Sequence, residues 1–156
     1  MESSPTEIDE YIAFGKAEYK NNSAQLVKID DFQKTYSWKR ALWWYTRQSF
    51  IYRMLMTALR QQSIHLLFLL RFWIRHIDRQ LKQSRCHVPM CVFWGEWKSN
   101  DDFDLLQTSV GKLISINTFL STSASRDVTL SVLKHSPEHS KKILFEITVH
   151  PQKKTK

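Results

Sequence analysis

Only three glycines, Gly15, Gly95 and Gly111, and four prolines interrupt the 156 residues of this chain. A sequence so poor in turn-forming residues is committed to long regular segments. Its glycines are also too far apart to write GxGxxG, a GxxxxGK phosphate loop or a GxSxG elbow, so the nucleotide and hydrolase sites built on those turns are excluded. The length suits one domain around a single core, without room for a second full domain. A hydrophobic share of 42%, with 13% aromatic and 24% charged residues, belongs to a globular chain rather than a disordered one.

Residues 1–34 scatter Tyr11, Ile12, Phe14, Tyr19, Leu26, Val27, Ile29 and Phe32 among polar neighbours, which reads as an N-terminal arm with one short helix. From Ser37 onward the pattern sharpens. Leu42, Tyr45, Ser49, Tyr52, Met56 and Leu59 recur at steps of three and four, predicting a helix over about 38–60 with these residues on its apolar face. Ile64, Leu67, Leu70, Ile74, Ile77 and Leu81 repeat the rule and predict a second helix over about 63–83, antiparallel to the first across a turn at Gln61 and Gln62.

After Pro89 the period changes. Met90 to Trp94 is a short apolar run that reads as a buried strand, and Ser99 before three acid or amide residues reads as a helix N-cap, with Gly111 as the stop. Leu113 to Ser121 is rich in β-branched and aromatic residues. Ser125 caps a further helix through Val128, Leu130 and Leu133 that must end before Pro137. Ile143, Phe145, Ile147 and Val149 alternate with Leu144, Glu146 and Thr148, the period of a half-buried strand. A helical front half and a mixed back half make an α+β protein.

Four clusters offer chemistry. His135, Glu138 and His139 spell HxxEH, but Pro137 between the histidines removes a helical hydrogen bond, which favours a turn over a metal site. Cys86, His87 and Cys91 form a loose group with no second CxxC, so buried thiols are favoured over a metal site, and no metal is expected. The stretch Tyr36 to Arg60 interleaves tryptophans with arginines, as nucleic-acid binders do, yet the helical spacing favours a core helix with a basic solvated face. More specific is Ser121-Thr122-Ser123, three adjacent hydroxyls that end an apolar stretch just before a helix start. Hydroxyls in that place either serve a ligand or cap the helix and end the strand.

Twenty-three Lys and Arg against fifteen Asp and Glu leave a charge of +8, which favours anionic partners. Two cysteines are too few for a disulfide scaffold, and the acidic start MESSPTEIDE lacks the regions of a signal peptide. The expectation is a reduced, cytoplasmic protein. Its longest apolar stretch, Ile64 to Ile74, falls well short of the ~20 residues a membrane span needs, so no membrane partner is expected.

At these residues the sequence resembles the arginine-specific mono-ADP-ribosyltransferases, the R-S-E family, from about Tyr36 to Pro151. The resemblance rests on Ala41-Leu-Trp-Trp-Tyr45-Thr-Arg47 with Phe50-Ile-Tyr52-Arg53, on the Leu66 to Leu81 helix, on the strand leading to Gly95, and above all on Ser115-Ile-Asn-Thr-Phe-Leu-Ser-Thr-Ser123 followed by Arg126-Asp127. It implies an ADP-ribosyltransferase-like α+β fold, a helical N-terminal subdomain followed by a small mixed β core with a central cleft. The implied reaction transfers ADP-ribose from NAD or NADP to an arginine of an acceptor protein and releases nicotinamide.

In that family the serine matching Ser121 positions the nicotinamide side of NAD, while Thr122 and Ser123 support the strand end. An arginine-glycine pair binds the phosphate and ribose groups and the carboxamide; here the pair reads Trp94-Gly95. An indole cannot reproduce a bidentate guanidinium grip, a loss of roughly 2–4 kcal/mol. No ExE pair occurs in the chain, so the catalytic glutamate has no counterpart, and Glu146 belongs to the strand before that motif. The expected organisation is thus an arm over residues 1–34, a partial domain over 35–151 whose C-terminal strands are missing, and a basic tail over 152–156. Two other classes of function stay open: a non-catalytic module binding a protein or nucleotide through the cleft and the basic helix 63–83, and a basic helical nucleic-acid binder, which the spacing disfavours.

Overall fold

The computed structural model describes residues 5–47, 49–116, 118–134 and 140–151. It is an α+β protein that divides into two compact units, Met1–Arg85 and Cys86–Lys156. The division therefore falls after Arg85, whereas the sequence suggests an arm followed by a single domain from residue 35. The HxxEH string lies outside the described residues, as does the basic tail.

The first unit is helical: α1 (Pro5–Glu18), α2 (Ser23–Thr35), a 3-10 turn (Trp38–Arg40), α3 (Ala41–Thr46), α4 (Phe50–Gln61), α5 (Ile64–Leu69) and α6 (Arg71–Gln83). The supposed arm is two helices that supply core. Tyr11 and Ile12 of α1 and Ile29 and Phe32 of α2 are buried. Phe32 packs edge-on to Tyr11, Trp44 and Phe50 at centroid distances of 5.9, 5.0 and 5.6 Å and stacks on Tyr36 at 4.6 Å. Outside this core, Glu7 pairs with Arg71 at 3.0 Å and with Arg75, and Glu10 pairs with Arg71 at 3.0 Å, tying α1 to α6.

Neither long helix is continuous. Ser49, assigned by periodicity to an apolar face, instead has extended backbone and caps α4: its Oγ accepts from the Tyr52 N–H at 3.4 Å and donates to the Trp44 carbonyl at 2.9 Å. A side chain that satisfies the first turn of a new helix cannot continue the old one. The buried face changes accordingly, to Ala41, Trp44 and Tyr45 on α3 and Phe50, Ile51, Met54, Leu55 and Ala58 on α4. The turn at Gln61 and Gln62 forms where expected, with Gln62 left-handed at φ 51° and the Ser63 N–H closing on the Ala58 carbonyl at 3.0 Å. The second helix bends at buried Leu70, and α6 buries Phe72, Trp73, His76 and Ile77, while Ile64 and Leu81 face solvent.

The second unit contains β1 (Met90–Lys98), α7 (Asn100–Gln107), α8 (Arg126–Leu133) and β2 (Lys141–Val149). Antiparallel β1 and β2 run in register from Met90 opposite Val149 to Lys98 opposite Lys141. Ser99 caps α7, accepting from the Asp102 N–H at 3.2 Å, and Ser125 caps α8, accepting from the Val128 N–H at 3.4 Å. Gly111, at φ 79°, sits in the turn beyond α7. Leu113, Ile114 and Ile116 are exposed and form no strand.

Two measurements follow from the helical core. The Tyr11 hydroxyl is fully buried with no hydrogen-bond partner among the described residues. Tyr11→Phe is therefore expected to be neutral or stabilising by up to about 1 kcal/mol in urea unfolding; a loss of that size would reveal a partner for the hydroxyl. His76 is buried, shares a 2.6 Å hydrogen bond between its Nδ1 and the Tyr36 hydroxyl, and is held below its ordinary pKa of 6.5 by burial and then by Arg75 and Arg79. Because the unfolded imidazole binds its proton first, the stability due to neutral His76 is full above pH 6.5 and is lost as pH falls from there toward the folded pKa. The urea midpoint should fall on acidification more steeply for the wild type than for His76→Asn, and parallel curves would exclude His76 as the cause.

Candidate functional site

The two segments that carry the predicted site, Trp94-Gly95 and Ser121 to Ser123, are brought side by side on β1. Phe93 donates its N–H to the Ser123 carbonyl at 2.7 Å and accepts from the Ser123 N–H at 2.9 Å, an isolated antiparallel bridge. Phe93 thus has β2 on one flank and the hydroxyl segment on the other. Ser123 is half-buried, and its Oγ accepts from the Ser125 N–H at 3.0 Å, so this residue serves the turn into α8. Ser121 and Thr122 are exposed at the head of the bridge, and their hydroxyls make no hydrogen bond among the described residues. Of the three hydroxyls, the structure commits one to architecture and leaves two presented to solvent.

Trp94 and Gly95 face opposite sides of the sheet, as consecutive strand residues must. Trp94 is half-buried and stacks on Phe145, its partner in register, at 4.7 Å and 22°. Gly95 lies under α8. A Cβ at this position would come within 2.9 Å of Leu133 Cγ and 3.0 Å of Thr129 Cγ2, so glycine is required for the helix to reach the sheet. Thr129 and Leu133 are the buried residues of α8, and Thr129 Oγ1 donates to the Ser125 carbonyl at 3.2 Å and lies 3.5 Å from the Phe93 carbonyl. The backbone is consequently screened by α8 on the side where a Gly95 side chain would project.

One acidic residue escaped the sequence reading. Glu96 is two residues beyond Trp94 and therefore on the same side of the sheet, half-buried and ion-paired to Lys98 Nζ at 3.1 Å. The alternation of β1 was the signal that placed it there, but no ExE spacing drew attention to it. Glu146, by contrast, is exposed on the α8 side, opposite Phe93, with Cys91 Sγ at 3.6 Å. That contact and, first, desolvation hold the Cys91 thiol above its ordinary pKa. Neither thiol is buried as the sequence suggested: Cys91 is exposed and Cys86 half-exposed, with Cys86 Sγ 2.7 Å from the Val88 carbonyl. Among the described residues, no three His, Cys, Asp or Glu side chains gather as a metal site would require, and no helix is long and apolar enough to cross a membrane.

Gly95→Ala tests the close approach of α8. In an open strand this change would stabilise by about 0.5–1 kcal/mol through backbone entropy, whereas here overpacking should destabilise by about 1–3 kcal/mol in chemical unfolding. Shortening the opposing side chain in Gly95→Ala/Leu133→Ala should recover part of that loss relative to the sum of the single changes. Strict additivity would show that the two positions do not meet.

Compared with protein-family models, with curated proteins and with solved structures, the chain matches none.

Proposed function

We propose that this chain is an arginine-specific mono-ADP-ribosyltransferase-type domain that takes NAD, or NADP, as its co-substrate and an arginine of an acceptor protein as its target. The observation that carries the reading is the Phe93–Ser123 bridge, which joins two motifs that are far apart in sequence. The resemblance requires the hydroxyl segment and the aromatic-glycine pair to meet at one place, and the bridge supports that requirement. Exposed Ser121 and Thr122 offer hydroxyls for the nicotinamide side of NAD, and the Trp94–Phe145 stack offers an aromatic edge for a planar ring.

The reaction breaks the glycosidic C–N bond, whose electron pair leaves with nicotinamide, forms a new bond from the ribose carbon to a guanidine nitrogen, and releases one proton. The ribose carbon passes through a cationic, oxocarbenium-like state, and a fixed carboxylate is the device that stabilises it. On the Trp94 side of the sheet that group is Glu96, whose charge Lys98 partly neutralises at 3.1 Å. With an indole at Trp94 replacing the guanidinium grip, the NAD phosphates lose a charge-assisted contact, so weak binding is expected.

The test offers isotope-labelled NAD and an arginine-rich acceptor to the 156-residue chain, with Ser121→Ala and Glu96→Gln alongside. Label should pass to the acceptor and fall by about tenfold to a thousandfold in either variant, the range for removing a positioning hydroxyl or a stabilising charge. NAD binding without transfer or hydrolysis would instead make this a nucleotide-binding module. No NAD binding by the folded chain would overturn the proposal.

A further inference from the structure

We propose that the helical unit, Met1–Arg85, carries a second site: a face built around Trp38 and Trp43 that binds single-stranded nucleic acid. On this face the guanidinium groups of Arg40 and Arg47 both lie over the Trp43 ring, 4.2 and 4.3 Å from its centroid, and that of Arg79 lies 4.2 Å over Trp38. Lys39 Nζ adds a fourth cation 5.7 Å from Trp38. Trp43 is 38% exposed, unlike its buried neighbour Trp44.

Some cations of the same unit are matched by carboxylates. Arg71 and Arg75 are neutralised by Glu7 and Glu10, and Lys16 by Asp30. Among the described residues no carboxylate pairs with Lys39, Arg40, Arg47 or Arg79. Uncompensated cations on a chain of charge +8 call for an anionic partner.

The face is also held in shape before any partner arrives. The Gln80 carboxamide on α6 donates to the Lys39 carbonyl at 2.6 Å and accepts from the Leu42 N–H at 2.8 Å, which locks the 3-10 turn beside the residue that follows Arg79. Arg40 donates to the Thr35 carbonyl at 3.3 Å, and buried Trp73 Nε1 donates to the Ala41 carbonyl at 3.1 Å. Preorganised planar groups lose little entropy on binding.

Planar guanidinium and indole groups together select the partner. Nucleobases stack on both, while the same guanidinium forks bind phosphates between bases. An acidic peptide would use the charges and gain little from the rings. A membrane surface would require protruding apolar side chains, and here the Trp43 ring is overlain by charged groups.

The experiment is a fluorescence-anisotropy titration of the full chain against a labelled, mixed-sequence single strand of about 15 nucleotides, across salt concentrations. The logarithm of affinity should fall against the logarithm of salt with a slope of about −2 to −3, since each of four phosphate contacts contributes about 0.7. Arg40→Gln/Arg47→Gln/Arg79→Gln should weaken binding at least about tenfold, whereas Lys20→Gln/Lys28→Gln/Lys34→Gln, an equal charge change elsewhere on the unit, should weaken it less than about threefold. The arginine-to-lysine version of the first variant retains the charge and the fold but lacks the planar groups, and should fall between the two. Absence of binding at low salt, equal losses in the two glutamine variants, or tighter capture of a glutamate-rich peptide or phosphatidylserine vesicles would each overturn the proposal.

Discussion

The helical unit depends on Phe32. Its ring is wholly buried and touches Tyr11 of α1, Trp44 of α3, Phe50 of α4 and Tyr36 in the segment after its own helix. Through Tyr11 and Tyr36 the same network reaches Phe72 on α6, at centroid distances of 5.7 and 5.6 Å. Five short helices that would each be marginal alone are thereby given a common apolar partner. Aromatic rings fill such a centre with few rotatable bonds, so the arrangement is fixed at modest entropic cost.

How much of this was legible in the sequence depended on whether a residue's surroundings were local. Ser99 and Ser125 announced their helices because an N-cap involves only the next few residues, and β2 was visible in the alternation from Ile143 to Val149. Phe32 and Tyr11 were hidden, since their partners come from helices remote in the chain and their own helices carry no continuous apolar stripe. Ser49 misled for a related reason: spacing records where a side chain stands on an ideal helix and is blind to a hydroxyl that starts a new one. At the candidate site, Trp94, Gly95 and Ser121 to Ser123 were found as motifs, but the sequence could not reveal that Gly95 is held open by α8, and the alternation that sets Glu96 on the face of Trp94 carries no motif to mark it.

The two candidate sites make different demands on their surroundings. The Ser121 segment owes its place to backbone hydrogen bonds at Phe93, which fix position whatever the side chains are. The Trp38 and Trp43 face is set by side chains, above all Gln80, and by guanidinium groups that rest on rings. Sequence change would therefore alter the second more readily than the first.

The β1–β2 pairing also shapes how the chain reaches its structure. Nearest partners Lys98 and Lys141 are separated by roughly 40 residues containing α7 and α8, a connection whose closure must be completed before the sheet gains any bond. Contacts of α3 with α4, of α4 with α5 and of α5 with α6 join neighbouring segments and form without such a search. Folding rates follow this difference in contact range, so these adjacent helix pairs form ahead of the sheet. During that interval Trp94 and Phe145, not yet stacked, are the aromatic groups most open to other chains, and the lysine pair at the start of β2 stands where charge keeps such encounters brief.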